Sequence, residues 1–210
     1  MDTMHASWAG LLALGAFHGI NPGMGWLFAV ALGLQERRRA AVWRALLPLA
    51  LGHSLAVAAA VAVALALGLV LSIEHLRWPV GLLLLALGAS RIVRHRHPRW
   101  AAMRVRMTRL TMWSFLMASA HGAGLMVVPV FAGMTSGQQL TCHSQPASAT
   151  VASALLATGA HALGYVLVTA VLAVLVFEKF GVGILRTAWV NIDFVWALAL
   201  VGTGLFTLLS

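Results

Sequence analysis

Charge is scarce in this sequence. Only 9% of its 210 residues are charged, against 61% that are hydrophobic, and the mean hydropathy is +0.91. A soluble domain of this size needs far more charge to cover its surface, so the composition excludes one and indicates a polytopic membrane protein. Cysteine is nearly absent. Cys142 stands alone, which rules out an intrachain disulfide, a CxxC thiol relay and a zinc finger, and leaves pairing between chains or contact with a soft metal. The opening residues Met1-Asp2-Thr3-Met4-His5 carry no basic segment and no cleavage-like site ahead of the apolar run, so no signal peptide is expected and the first span is expected to stay. A net charge of +9 would suggest nucleic acid in a soluble protein. Here the basic residues lie between apolar spans and not along a face, so no nucleic-acid partner is expected.

Six spans are long enough for a bilayer at about 20 residues each: 8–34, 43–71, 78–93, 111–134, 147–177 and 188–209. The expected fold is all-α, with six transmembrane helices as two inverted three-helix repeats: residues 1–93, an Arg-rich linker over 94–110, and residues 111–210. Tryptophans 8, 43, 78, 113 and 189 mark span starts, as suits rings that prefer the headgroup interface. Arg37, Arg38, Arg39 and Arg44 follow the first span, seven arginines from Arg91 to Arg109 follow the third, and Lys179 and Arg186 follow the fifth. These loops are expected on the cytoplasmic side of an inner membrane, with both termini outside. The Arg-rich loop is read as a topological anchor, with a phospholipid-binding segment as the other reading.

The first span is interrupted. Gly15-Ala16-Phe17-His18-Gly19-Ile20-Asn21-Pro22-Gly23-Met24-Gly25-Trp26 places a histidine, an asparagine, a proline and four glycines in an otherwise apolar run, where polar groups and broken backbone are both costly. Pro22 has no amide hydrogen and crowds the carbonyl of His18, so the helix is expected to kink or unwind beside the imidazole. Transporters use such interruptions to expose carbonyls and half-helix ends to an ion. The fourth span echoes this with Ser119-Ala120-His121-Gly122, followed by Pro129. Gly52-His53-Ser54 and Ala160-His161-Ala162 form a looser second pair. Three spans per repeat is an odd number, so the second repeat would enter the membrane inverted.

His18, His53, His121 and His161 each fall within about five residues, or ~8 Å, of the middle of their span. Small neighbours allow the close helix approach that would let them converge. Neutral imidazole binds Ni, Co, Cu or Zn, and the thioethers of Met24, Met117 and Met126 would add soft ligands, although apolar packing explains methionine equally well. Asn21 either ligates an ion through its amide oxygen or caps the half-helix that starts at Pro22. His5, His75, His95, His97 and His143 fall in tails or loops and are expected to be solvated, and Thr141-Cys142-His143 is a weak metal signal. Asp193 either carries a coupling proton or sits at the cytoplasmic interface near Arg186.

His18-Gly19-Ile20-Asn21-Pro22-Gly23-Met24 resembles the H-G-x-E-P-G-H signature of NicO-type nickel/cobalt exporters, and Gly52-His53-Ser54 resembles the S-H-T element of their next span. The likeness covers about the first 65 residues. It implies a six-span transporter of the broad LysE-like group, a divalent transition metal as substrate, outward transport, and His18 and His53 as candidate ligands. This chain has Asn21 where the signature has glutamate and Met24 where it has the second histidine, and it has no long histidine-rich loop. Those exchanges remove negative charge and shift the site towards softer ions, so Cu(I) or a neutral or organic substrate enters beside Ni and Co.

The residues therefore suggest a secondary transporter, not an enzyme, with the transition-metal ion as substrate, no resident cofactor, the lipid bilayer as partner and a homo-oligomer as a possibility. The candidate ligands are His18, His53, His121, His161, Asn21, Met24 and Met126. Metal and protons compete for imidazole, so a proton gradient would be able to drive release. The rival from a different class is a b-type haem protein using the four histidines as axial ligands. A receptor or a membrane hydrolase has less support.

Overall fold

A computed structural model describes residues 2–68, 73–93, 107–139, 147–180 and 185–209. All regular structure among them is helical: α1 Asp2–Ile20, a 3-10 turn Pro22–Met24, α2 Trp26–Glu36, α3 Arg39–Gly68, α4 Ile73–Val93, α5 Met107–Ala120, α6 Ala123–Gln139, α7 Ala147–Leu175 with a π-helical end Val176–Phe180, and α8 Leu185–Leu209. Two of these helices are long and apolar enough to cross a membrane, over Arg39–Leu67 and Val151–Lys179, and the bent pair Arg109–Ala120 with Ala123–Phe131 makes a third if it counts as one span.

Outward faces are as greasy as inward ones. On α3, Leu47, Leu51 and Leu55 recur every fourth residue and are half to two-thirds exposed, while Leu49, His53 and Val57 on the other face are fully buried. α7 repeats the pattern, with Leu155, Leu163, Leu167 and Val171 outside and Ala157, His161 and Tyr165 inside. A continuous exposed apolar belt of this kind suits hydrocarbon and not water.

The helices pack in pairs. α1 lies against α7 and α3 lies against α5, while α4 and α8 pair with each other and α3 crosses α7 at the centre. Close approach depends on missing side chains: a Cβ on Gly15 would collide with the His161 carbonyl, and a Cβ on Gly52 would collide with the Thr111 carbonyl. These contacts bring the backbone of α1 onto α7 and that of α3 onto α5, as small residues do in membrane bundles. Pro48, Pro79 and Pro129 lie inside α3, α4 and α6 without ending them.

Candidate functional site

Both short-range breaks sit beside a histidine. α1 stops at Ile20, and Asn21 takes an extended conformation (φ −68°, ψ 119°) from which its Oδ1 accepts the Gly23 amide hydrogen at 2.9 Å. Asn21 is thus the cap of the turn that Pro22 opens, as short polar side chains are at such positions. The expectation that this break offers bare carbonyls is not met. Trp26 Nε1 donates to the Ile20 carbonyl at 2.8 Å, the Tyr165 hydroxyl donates to the Met24 carbonyl at 2.7 Å, and the Met24 amide donates to the Asn21 carbonyl at 3.0 Å. The fold satisfies the freed backbone groups with side chains, as burial requires.

The second break falls at His121-Gly122 and not at Pro129. Gly122 has φ +71°, a conformation that costs an L-residue with a side chain roughly 1–2 kcal/mol, and the chain bends by 60° there. The two breaks share one device. His18 Nδ1 donates to the Leu14 carbonyl at 2.7 Å and His121 Nδ1 donates to the Met117 carbonyl at 2.8 Å, each four residues back on its own helix. That bond fixes the Nδ1–H tautomer and leaves Nε2 as the lone-pair nitrogen. In His18 this Nε2 is buried and has no hydrogen-bond partner.

His18, His53 and His161 come together. Ring centroids lie 5.7 Å apart for His18 and His53, 5.0 Å for His18 and His161, and 5.3 Å for His53 and His161, whose rings are nearly parallel at 11°. The Nε2 atoms of His53 and His161 are 3.2 Å apart. Two neutral imidazoles at that distance share one hydrogen, so one ring must carry Nε2–H and the other Nδ1–H. The His53 Nδ1 has no partner, and the His161 Nδ1 lies beside the Leu11 carbonyl without reaching hydrogen-bond geometry. The tautomer that puts Nδ1–H on His53 therefore holds a buried donor without an acceptor, an arrangement that costs ~1–3 kcal/mol, whereas Nδ1–H on His161 points to the Leu11 side. Comparison with protein families, curated proteins and solved structures gives no match. The site stands on its own geometry.

His121 joins the group through Trp196. The indole stacks on Phe17 at 4.7 Å and 8°, meets His18 edgewise at 4.5 Å and His121 at 5.9 Å, and its Nε1 donates to the His121 carbonyl at 3.3 Å. Tyr165 lies flat on His53 at 3.9 Å and 6°. Met24 and Met126 are buried in one cluster with Tyr165 and Trp196, and Met117 packs against it. Of the residues expected to act together, the structure gathers His18, His53 and His161, places His121, Met24 and Met126 next to them, and uses Asn21 as a cap. No group of three or more His, Cys, Asp or Glu among the described residues is arranged to hold a metal ion. Three rings meet, while one pair of nitrogens, those of His53 and His161, comes within 3.2 Å.

Thr141, Cys142, His143, His95 and His97 lie outside the described residues, as do the side chains of His5, His75 and Asp193. Phe17, Tyr165 and Trp196 were not foreseen. Tyr165 follows His161 by four residues, one helical turn along the same face, and that spacing carries the signal. Trp196 has none, because its place depends on how α8 docks.

Proposed function

We propose that the chain is a secondary transporter of a transition-metal ion, built of six membrane-crossing units in two inverted three-unit repeats, with His53 and His161 as the central ligand pair. The observation that carries this reading is the buried pair of Nε2 atoms 3.2 Å apart. With metal–nitrogen bonds of ~2.05 Å, two such atoms subtend about 100° at a metal ion, within the range of tetrahedral and trigonal sites. Entry of the ion displaces the shared hydrogen from between the nitrogens: both rings become Nδ1–H tautomers and both Nε2 lone pairs turn to the ion. No carboxylate is needed for that step, and no proton leaves the pair.

The inverted repeat is supported by four correspondences: two helix breaks beside a histidine, two imidazoles tied by Nδ1 to the carbonyl four residues back, the α1·α7 and α3·α5 packing, and the contact of His53 with His161 where α3 meets α7. A substrate site at the repeat interface is the plan of many secondary transporters. The outward direction and the inner-membrane location come from the NicO-like signature and the arginine pattern. The haem reading has no comparable support, since nitrogens 3.2 Å apart leave no slab for a porphyrin between them.

Purified protein loaded with micromolar metal and analysed by mass spectrometry tests the reading. Wild type is expected to retain about one ion per chain and His53→Ala to retain almost none. Equal retention by both would refute the proposed pair.

A further inference from the structure

We infer that the ion is monovalent and soft, of the Cu(I) and Ag(I) class, held between Nε2 of His53 and Nε2 of His161. This rests on the transport reading above and narrows its substrate. The first ground is charge. Every Asp, Glu, Lys and Arg whose side chain is described is exposed, at the α2–α3 junction, at Arg109 or at the end of α7. Among the described residues, the rings that meet the pair are the His18 imidazole and the Tyr165 phenol, both neutral. The cost of burying an ion rises with the square of its charge, so a divalent ion costs about four times as much as a monovalent one, and neutral ligands do not compensate it.

The second ground is ligand number. Divalent nickel, cobalt and zinc take four or more ligands, and zinc sites take at least three from protein. Among the described residues no group of three His, Cys, Asp or Glu is arranged for that, whereas one pair of nitrogens faces each other at 3.2 Å. A filled-shell monovalent ion is satisfied by two or three donors. The third ground is softness. Met24 and Met126 are buried in one cluster with Tyr165, whose ring lies on His53, so the nearest sulfur-bearing side chains to the site are buried with its neighbour. Thioether donors favour Cu(I) over the harder divalents.

The test compares ions on the intact chain in detergent, under anaerobic reducing conditions for copper. Cu(I) affinity is read by competition with a chromogenic chelator, and Ag(I), Co(II), Ni(II) and Zn(II) by equilibrium dialysis. One Cu(I) or Ag(I) is expected per chain, bound about 100-fold more tightly than any of the divalents, with the site lost in His53→Ala and His161→Ala. X-ray absorption on Cu(I)-loaded wild type needs no variant, and should show two imidazoles in a shell of three donors, as the ~100° subtended by the pair requires. Divalent binding as tight as Ag(I) and lost in the same variants would overturn the monovalent assignment while leaving metal transport standing. A four-donor nitrogen and oxygen shell would overturn it equally. If no ion of either charge is retained, both this inference and the transport reading fall.

Discussion

Tyr165 joins two parts of the molecule that differ in kind. Its hydroxyl holds the Met24 carbonyl at 2.7 Å, in the turn that interrupts the first span, and its ring lies 3.9 Å from that of His53. Tyr165→Phe keeps the stack and leaves a buried carbonyl unpaired. It is expected to cost ~1–3 kcal/mol, read as a lower unfolding temperature in detergent, with the metal site still filled. Asn21→Ala removes the cap on Gly23 and should cost about 1 kcal/mol. If Asn21 were a ligand, the same change would abolish metal retention, so measuring both quantities separates the two roles that the sequence left open. At this scale much was legible. His18, His53 and His161 stand out because each is a polar residue near the middle of an apolar run. Trp196 does not, since aromatic residues in apolar helices are common and only tertiary packing puts it against His18.

At the scale of elements, the two broken spans follow different rules. Proline at 22 ends α1, and the sequence shows it, because a missing amide and a crowded carbonyl act locally. Proline at 129 ends no helix. It lies inside α6, and the chain turns seven residues earlier at Gly122, where φ is +71°. One glycine among 20 gives no local sign that it adopts a left-handed conformation. A Cβ at position 122 would also meet Leu200 Cδ2 at 3.1 Å. Gly122→Ala is therefore expected to destabilise the protein by roughly 1–2 kcal/mol, checked by thermal unfolding in detergent, whereas Gly159→Ala, with nothing within 4 Å of its added Cβ, should change stability little. Trp196→Ala should cost more, ~3–5 kcal/mol, because it empties the contact between α8 and both broken spans.

At the scale of the whole molecule, the charge pattern and the packing meet at one end. Arg39 Nε lies 3.1 Å from Glu178 Oε1, and Arg44 lies 2.5 Å from Glu36, so the arginines between α2 and α3 stand beside the π-helical end of α7. The start of α3 and the end of α7, whose charges are expected on one side, are thus spatial neighbours. These exposed pairs contribute little stability, ~0–1 kcal/mol. Their value is in orientation: in a Cys142→Ser background, Gln35→Cys and Lys179→Cys should both be shielded from a membrane-impermeant maleimide in intact cells and react after lysis. Labelling of one without the other would contradict the shared side. The proposed equivalence of the halves has little support in the sequence itself. Short matches around His18 and His121 suggested it, but the contacts that give it substance depend on backbone approach at Gly15 and Gly52, which no spacing reveals.

The central claim is that the His53 and His161 pair carries a metal ion across the membrane. Flux of Ag(I) or Cu(I) into proteoliposomes holding a metal-sensitive dye, with and without an imposed pH difference, tests it most directly. Wild type should show saturable flux that persists without a pH difference, since no proton leaves the pair when the ion enters, and His53→Ala and His161→Ala should reduce it to the rate of empty liposomes. Flux that persists unchanged in both variants, or wild-type flux no faster than through bare lipid, would contradict the account.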